Sequence, residues 1–211
     1  MKLGAGCTFF EVSQTDPDFQ QGKVITHLPQ KYSNDVKITT WLFFARVFAE
    51  KVEIVTWLNQ IDSECFETGL LDIDTSIKHV DRESFSLAYG SCRQPQKVST
   101  LGSTWIAYQK CKPGIDSGRI DKHKLGLVGA VNEAKGTVTR EVMFKKTFKK
   151  PPQVWLALCG INITLNGDDL RFKTQVVEGS ITTTGFNYHI ISWGKAVLET
   201  VSLSWLAVEL D

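Results

Sequence analysis

The chain has 211 residues, which fits one large domain or two small ones. Apolar residues make up 42%, enough for a packed core and too many for a disordered chain. With 24 Lys and Arg against 23 Asp and Glu, no net field would draw nucleic acid or an anionic membrane, so a partner is expected to be read by a local pocket.

In chain order, the N-terminal stretch has a single lysine and lacks the apolar run of a secretory signal. No segment approaches the length needed to span a bilayer. Residues 1–19 read as an arm or an added edge strand. Thr40–Phe48 reads either as a short helix or as a strand followed by a turn. Asp72 and Asp74 place two carboxylates on one strand face; a solvated face is expected, with a cation site as the alternative. Pro113-Gly114, within Lys110–Gly118, is a strong turn signal. The basic pairs Lys145-Lys146 and Lys149-Lys150 are interrupted by Phe148 and lack the clustering of a nucleic-acid footprint. Pro151-Pro152 closes that segment, because proline cannot donate into a ladder.

Gln153–Cys159 is a continuous apolar run, expected to be a central strand covered on both faces. The sequon Asn162-Ile163-Thr164 is expected to put its Asn at a strand end. Over 171–176, Phe172, Thr174 and Val176 alternate with Arg171, Lys173 and Gln175, the pattern of a half-buried strand. Phe186, Tyr188 and Ile190 share one face of the next strand. In the last, Val201, Leu203, Trp205 and Ala207 share a face opposite Ser202 and Ser204. Turn clusters at Asn166–Asp169, Glu178–Ser180, Thr184-Gly185 and Gly194-Lys195 separate these runs. Short strands punctuated this regularly predict an antiparallel β-sandwich.

Shifted by 100 residues, the sequence aligns with itself. Phe44 falls on Phe144, Phe48 on Phe148, Leu58 on Leu158 and Ile61 on Ile161. Trp105-Ile106-Ala107 falls on Trp205-Leu206-Ala207, and Gly22-Lys23-Val24 matches Gly118-Arg119-Ile120 at a slightly smaller offset. Charged residues between these anchors do not repeat. This is the pattern of two copies that keep core positions while the surface drifts. Two tandem antiparallel β-sandwich domains are predicted, at 20–112 and 118–211. The shared Phe44 and Phe48 favour the strand-and-turn reading of Thr40–Phe48.

The five cysteines (Cys7, Cys65, Cys92, Cys111, Cys159) form no CxxC pair and no zinc spacing, which favours reduced thiols. The protein is therefore expected to be cytoplasmic, or exported without a recognisable signal. His27, His79, His123 and His189 are scattered, and no hydrolase elbow, phosphate loop or dinucleotide fingerprint is present. Neither Cys92 nor Cys159 has an identifiable base. No constellation supports an enzyme or a cofactor.

The second copy resembles the H-type lectin (snail agglutinin) family. The residues that carry the resemblance are, in order, Ser117–Ile120, Val142–Phe144 with Phe148 and Pro152, Leu156–Ile161, Asp169–Arg171, Thr182–Phe186, Ile191–Trp193 and Val201–Ala207. The resemblance implies a six-stranded sandwich that associates as a homotrimer and binds galactose-type glycans, typically N-acetylgalactosamine, between subunits.

It further implies that Arg171 is the hydrogen-bonding fork of a sugar site; read from the strand alone, Arg171 is a solvated side chain. Trp193 would be an apolar wall of that site or, alternatively, a core residue, whereas Trp205 is expected in the core. Where family members carry His after the Trp, this chain has Gly194, which widens the site. Glu199 stands where they carry Tyr, and Glu133 beside Asn132 is the nearest acid for their first loop. In the first copy, offset 100 sets Leu71 at the Arg position, and offset 101 sets Cys92 at the Trp position with Arg93 beside it. The first copy is thus expected to be a degenerate domain with a structural or interface role. The expected function is non-catalytic glycan binding; the alternative is a lectin-like structural or protein-interaction module that has lost its sugar.

Overall fold

A computed structural model of the chain describes residues 18–27, 37–63, 68–90, 98–128, 136–166, 171–193 and 197–210. The described residues form an all-β fold in which every resolved pairing is antiparallel. Among them no helix is long and apolar enough to cross a membrane. The chain divides into two compact units: most of the residues up to Lys112 make the first, and those from Pro113 on, joined by a short segment that ends at Leu71, make the second.

The first unit contains β1 (Phe19–His27), β2 (Lys37–Phe43), β3 (Val52–Ser63), β4 (Thr68–Val80), β5 (Ser84–Gly90) and β6 (Val98–Gln109). Its strands pair in the orders β1-β6-β3 and β2-β5-β4. The second contains β7 (Ile115–Val128), β8 (Gly136–Met143), β9 (Gln153–Asn166), β10 (Phe172–Val176), β11 (Gly185–Ser192) and β12 (Val197–Val208). Here the orders are β7-β12-β9 and β8-β11-β10. In each unit, then, the first, last and third strands make one layer and the second, fifth and fourth the other.

An aromatic cluster joins the two layers of each unit. In the second, Trp205 on β12 meets Phe186 on β11 at 5.9 Å between ring centroids and Phe144 at 5.6 Å. Phe148 packs edge-on to Phe144 at 5.0 Å. In the first, Trp105 meets Phe85 at 5.1 Å and Phe44 at 5.9 Å, and Phe48 meets Phe44 edge-on at 4.8 Å. The corner that carries each Phe pair is hydrogen-bonded alike. The amides of Phe44 and Phe48 donate to the carbonyls of Glu83 and Arg82, and those of Phe144 and Phe148 to Thr184 and Thr183. After β2 the chain therefore turns and does not become helical.

Each indole lies flat across a glycine on the neighbouring strand: Trp105 is opposite Gly22 and Trp205 opposite Gly118. A Cβ at Gly118 would sit 2.7 Å from Trp205 Cε2, well inside contact distance. Because the indole is wedged among rings on its other side, it has no room to retreat. Gly118→Ala is expected to destabilise the second unit by about 1–3 kcal/mol, the usual cost of overpacking. An unchanged denaturant midpoint would refute this close approach.

Several details differ from the sequence reading. β7 begins at Ile115, three residues before Gly118, because Gly114 takes the left-handed turn (φ 69°) that swings the chain straight into it. Asn162 lies inside β9 and not at its end, since the ladder with β12 continues past it to Val197↔Thr164. Ser202 and Ser204 are buried as fully as the apolar face of β12. Asp72 is not on a solvated face: it is 4% exposed, and Asp74 is half-buried. Among the described residues no group of three His, Cys, Asp or Glu could hold a metal ion. Cys111 and Cys159 carry free thiols.

Candidate functional site

The site begins with the connection between β10 and β11, which sets how those strands align. Gly179 (φ 72°) makes the turn, and the Ser180 hydroxyl accepts from the Asn187 amide at 3.0 Å. The Thr182 hydroxyl accepts from the amides of Thr184 and Gly185 at 3.2 and 3.1 Å. A short polar side chain that satisfies backbone donors in this way holds a loop in one conformation. In the first unit Asp81 takes the part of Thr182: its carboxylate accepts from the amides of Glu83 and Ser84 at 2.8 and 2.6 Å. Those two amides hold the Asp81 carboxyl below the ordinary carboxylate range.

From this turn β10 pairs with β11 without a register shift, from Val176↔Tyr188 to Phe172↔Ser192. The ladder continues one pair further, where the Trp193 amide donates to the Arg171 carbonyl at 3.1 Å. Arg171 and Trp193 are therefore directly opposite. Opposed residues of an antiparallel pair send their side chains to the same face. Ser192 and Ile190 are buried beneath, so the face shared by Arg171 and Trp193 is the outer one. Arg171 is exposed and Trp193 half-buried, which places Trp193 outside the central aromatic cluster.

The same face continues along the sheet. Lys173 is opposite Ile191 and Gln175 opposite His189 on β10 and β11; Thr137 and Thr139 flank Ile191 and His189 from β8. His189 Nδ1 and Thr139 Oγ1 are 2.9 Å apart and hydrogen-bonded. The period of two that marks Arg171 also marks Lys173 and Gln175; that Thr137, Thr139 and His189 join them depends on strand pairing. Beneath them, burial pushes the Tyr188 phenol up, and the nearby Arg140 charge partly offsets it. Gly194, Glu133 and the Asp169-Leu170 segment lie outside the described residues, as do Cys92 and Arg93. Glu199 is exposed on β12.

Strand register corrects one equivalence. Thr174 is opposite Ile190, and Thr75 is opposite Tyr89 in the first unit. Counting back three residues from each threonine sets Asp72, not Leu71, at the place of Arg171. The count differs because the offset between copies drifts along the chain, which an ungapped shift cannot follow. The first unit thus puts a buried acid where the second has an exposed guanidinium.

A planar fork of N–H donors beside an indole can hold a hydroxylated ring: the fork spans vicinal hydroxyls and the indole covers an apolar C–H face. The two groups sit on a two-layered antiparallel sandwich. Residues 139–208 match the H-type lectin domain, and this match lies wholly inside the second unit. The solved structure of recombinant discoidin II of Dictyostelium discoideum is similar at 15% identity, with a TM-score of 0.42, over 90% of this chain and 77% of that one. No curated protein matches the chain.

Proposed function

We propose that the second unit binds galactose-type glycans without catalysing a reaction. The observation that supports this most is the Trp193–Arg171 backbone hydrogen bond, which sets an indole and a guanidinium side by side on one outer face of a domain matching the H-type lectins. In this reading Arg171 donates to paired hydroxyls and Trp193 forms the apolar wall. Gly194 stands in the sequence where H-type lectins carry His, so the sugar selected can differ from N-acetylgalactosamine. Single contacts of this kind are weak and gain from avidity, which favours a homotrimer. The first unit, with its acid at the Arg position, is a degenerate copy that does not repeat this Arg–Trp pair. Free thiols at Cys111 and Cys159 favour a reducing compartment such as the cytoplasm.

Arg171→Ala is expected to weaken binding to galactose-type glycans about 10- to 100-fold, the worth of a charge-assisted pair of hydrogen bonds. A glycan array run on both proteins tests it, with sedimentation to give the oligomer. Equal binding by the variant would remove the named site. Silence of the wild type on every galactose-type sugar would leave a lectin-like interaction module as the better reading.

A further inference from the structure

The outer face of β2-β5-β4 in the first unit carries an aromatic platform. Trp41 is 53% exposed and Phe43 75% exposed, two residues apart on β2 and on the same face. The indole of Trp41 lies parallel to the His79 ring, 5.5 Å between centroids and 10° between planes. Trp41 and His79 are on strands separated by β5, so each must reach across it.

What lets them meet is a bulge. From Ile77↔Leu87 to Val80↔Phe85, β4 advances three residues while β5 advances two. One extra residue re-aims the side chains that follow it. The bulge is fixed by the His79 amide, which donates to the Ser86 hydroxyl at 3.2 Å, and Ser86 is buried beneath the rings. The second unit lacks this device: β10 pairs β11 without a shift, and Glu141 occupies the position of Trp41. The platform is a feature of the first unit alone.

Its chemistry selects among ligands. The residues that neighbour Trp41 on this face in register are Thr39, Phe43, Ser84, Ser86 and Ala88. None of these five is charged; from β4 the bulge sets His79 and the exposed Lys78 opposite Ser86. Flat apolar area with the exposed Thr39 hydroxyl at its edge suits a ring with an apolar face and polar edges. We propose that this face is a second carbohydrate site, in which the C–H face of a neutral pyranose stacks on Trp41 and its hydroxyls reach Thr39. The choice of a sugar rests on the glycan-binding reading of the second unit, but the site does not use Arg171 or Trp193.

Indole N–H resonances test the two sites separately. In two-dimensional 1H–15N spectra of the full chain, the indole signal missing from Trp41→Phe is that of Trp41, and Trp193→Phe assigns the other. The probes are the methyl glycosides of galactose, N-acetylgalactosamine, glucose and mannose at millimolar concentration. At least one is expected to shift the Trp41 signal, in the wild type and equally in Arg171→Ala. Trp41→Ala, whose fold is checked by near-ultraviolet circular dichroism, should lower that glycoside's affinity about tenfold. A Trp41 signal unmoved by all four sugars, or one that moves only when Arg171 is intact, overturns the proposal. The Trp193 signal reports the other site, so either can fail while the other stands.

Discussion

Trp205→Ala is expected to destabilise the second unit by about 3–5 kcal/mol, the range for removing a large aromatic from a packed core. The indole is 3% exposed and fills the space between the two layers, against Phe144 and Phe186. Its loss removes ring contacts on one side and uncovers Gly118 on the other, and a glycine has no side chain to refill the void. In a unit of roughly 100 residues, each kcal/mol moves the melting temperature by about 4–8 °C, so a large displacement should follow. Calorimetry that resolves the two units is the measurement. Trp105→Ala should act in the same way on the first unit, because the same residues surround it. A small shift in both would mean that the aromatic cluster does not hold the layers together.

Asp116→Ala is expected to cost about 3 kcal/mol in the second unit. Asp116 is 2% exposed near the start of β7. One carboxylate oxygen accepts from the Ser117 amide at 2.8 Å and the other from the Lys145 amide at 2.6 Å. The side chain thereby ties the first strand to the corner that carries Phe144 and Phe148. Hydrogen bonds to a charged acceptor contribute about 1.5–3 kcal/mol each, and removing the acceptor strands the buried Ser117 donor. Asp116→Asn keeps one acceptor oxygen and should lose about half as much. The first unit makes the tie with a neutral amide: Gln20 donates to the Arg46 carbonyl at 2.7 Å and accepts from the Arg46 amide at 3.3 Å. Urea denaturation of Asp116→Ala, Asp116→Asn and wild type decides the matter; equal midpoints would show that solvent replaces the carboxylate without loss.

The candidate site was half legible in the residues. Arg171 and Trp193 stand out because they fall in segments that resemble a known family, and the period of two puts Arg171 on a polar face. Their pairing was not legible. Twenty-two positions separate them, and only the register of β10 on β11 sets them opposite. The Trp41 platform left no trace either, since it depends on an extra residue in β4, and a one-residue bulge has no compositional mark. The mistaken equivalence of Leu71 with Arg171 has the same origin. Small changes in strand register between the copies are invisible to a fixed offset.

The class of the protein is already written in the order of its residues. Alternating apolar residues, regular turn signals and a self-match near one hundred residues suffice for tandem antiparallel sandwiches, because side-chain period and turn chemistry are local properties. That order also marked the residues of the aromatic clusters, whose size and apolarity admit few other places. Folding settles which polar residues share a face, buries the serines of β12 and Asp72, and sets an acid in the first unit where the second has Arg171. Those outcomes follow from strand pairing across long sequence separations. Their free energy lies in contacts that no stretch of the chain makes with itself.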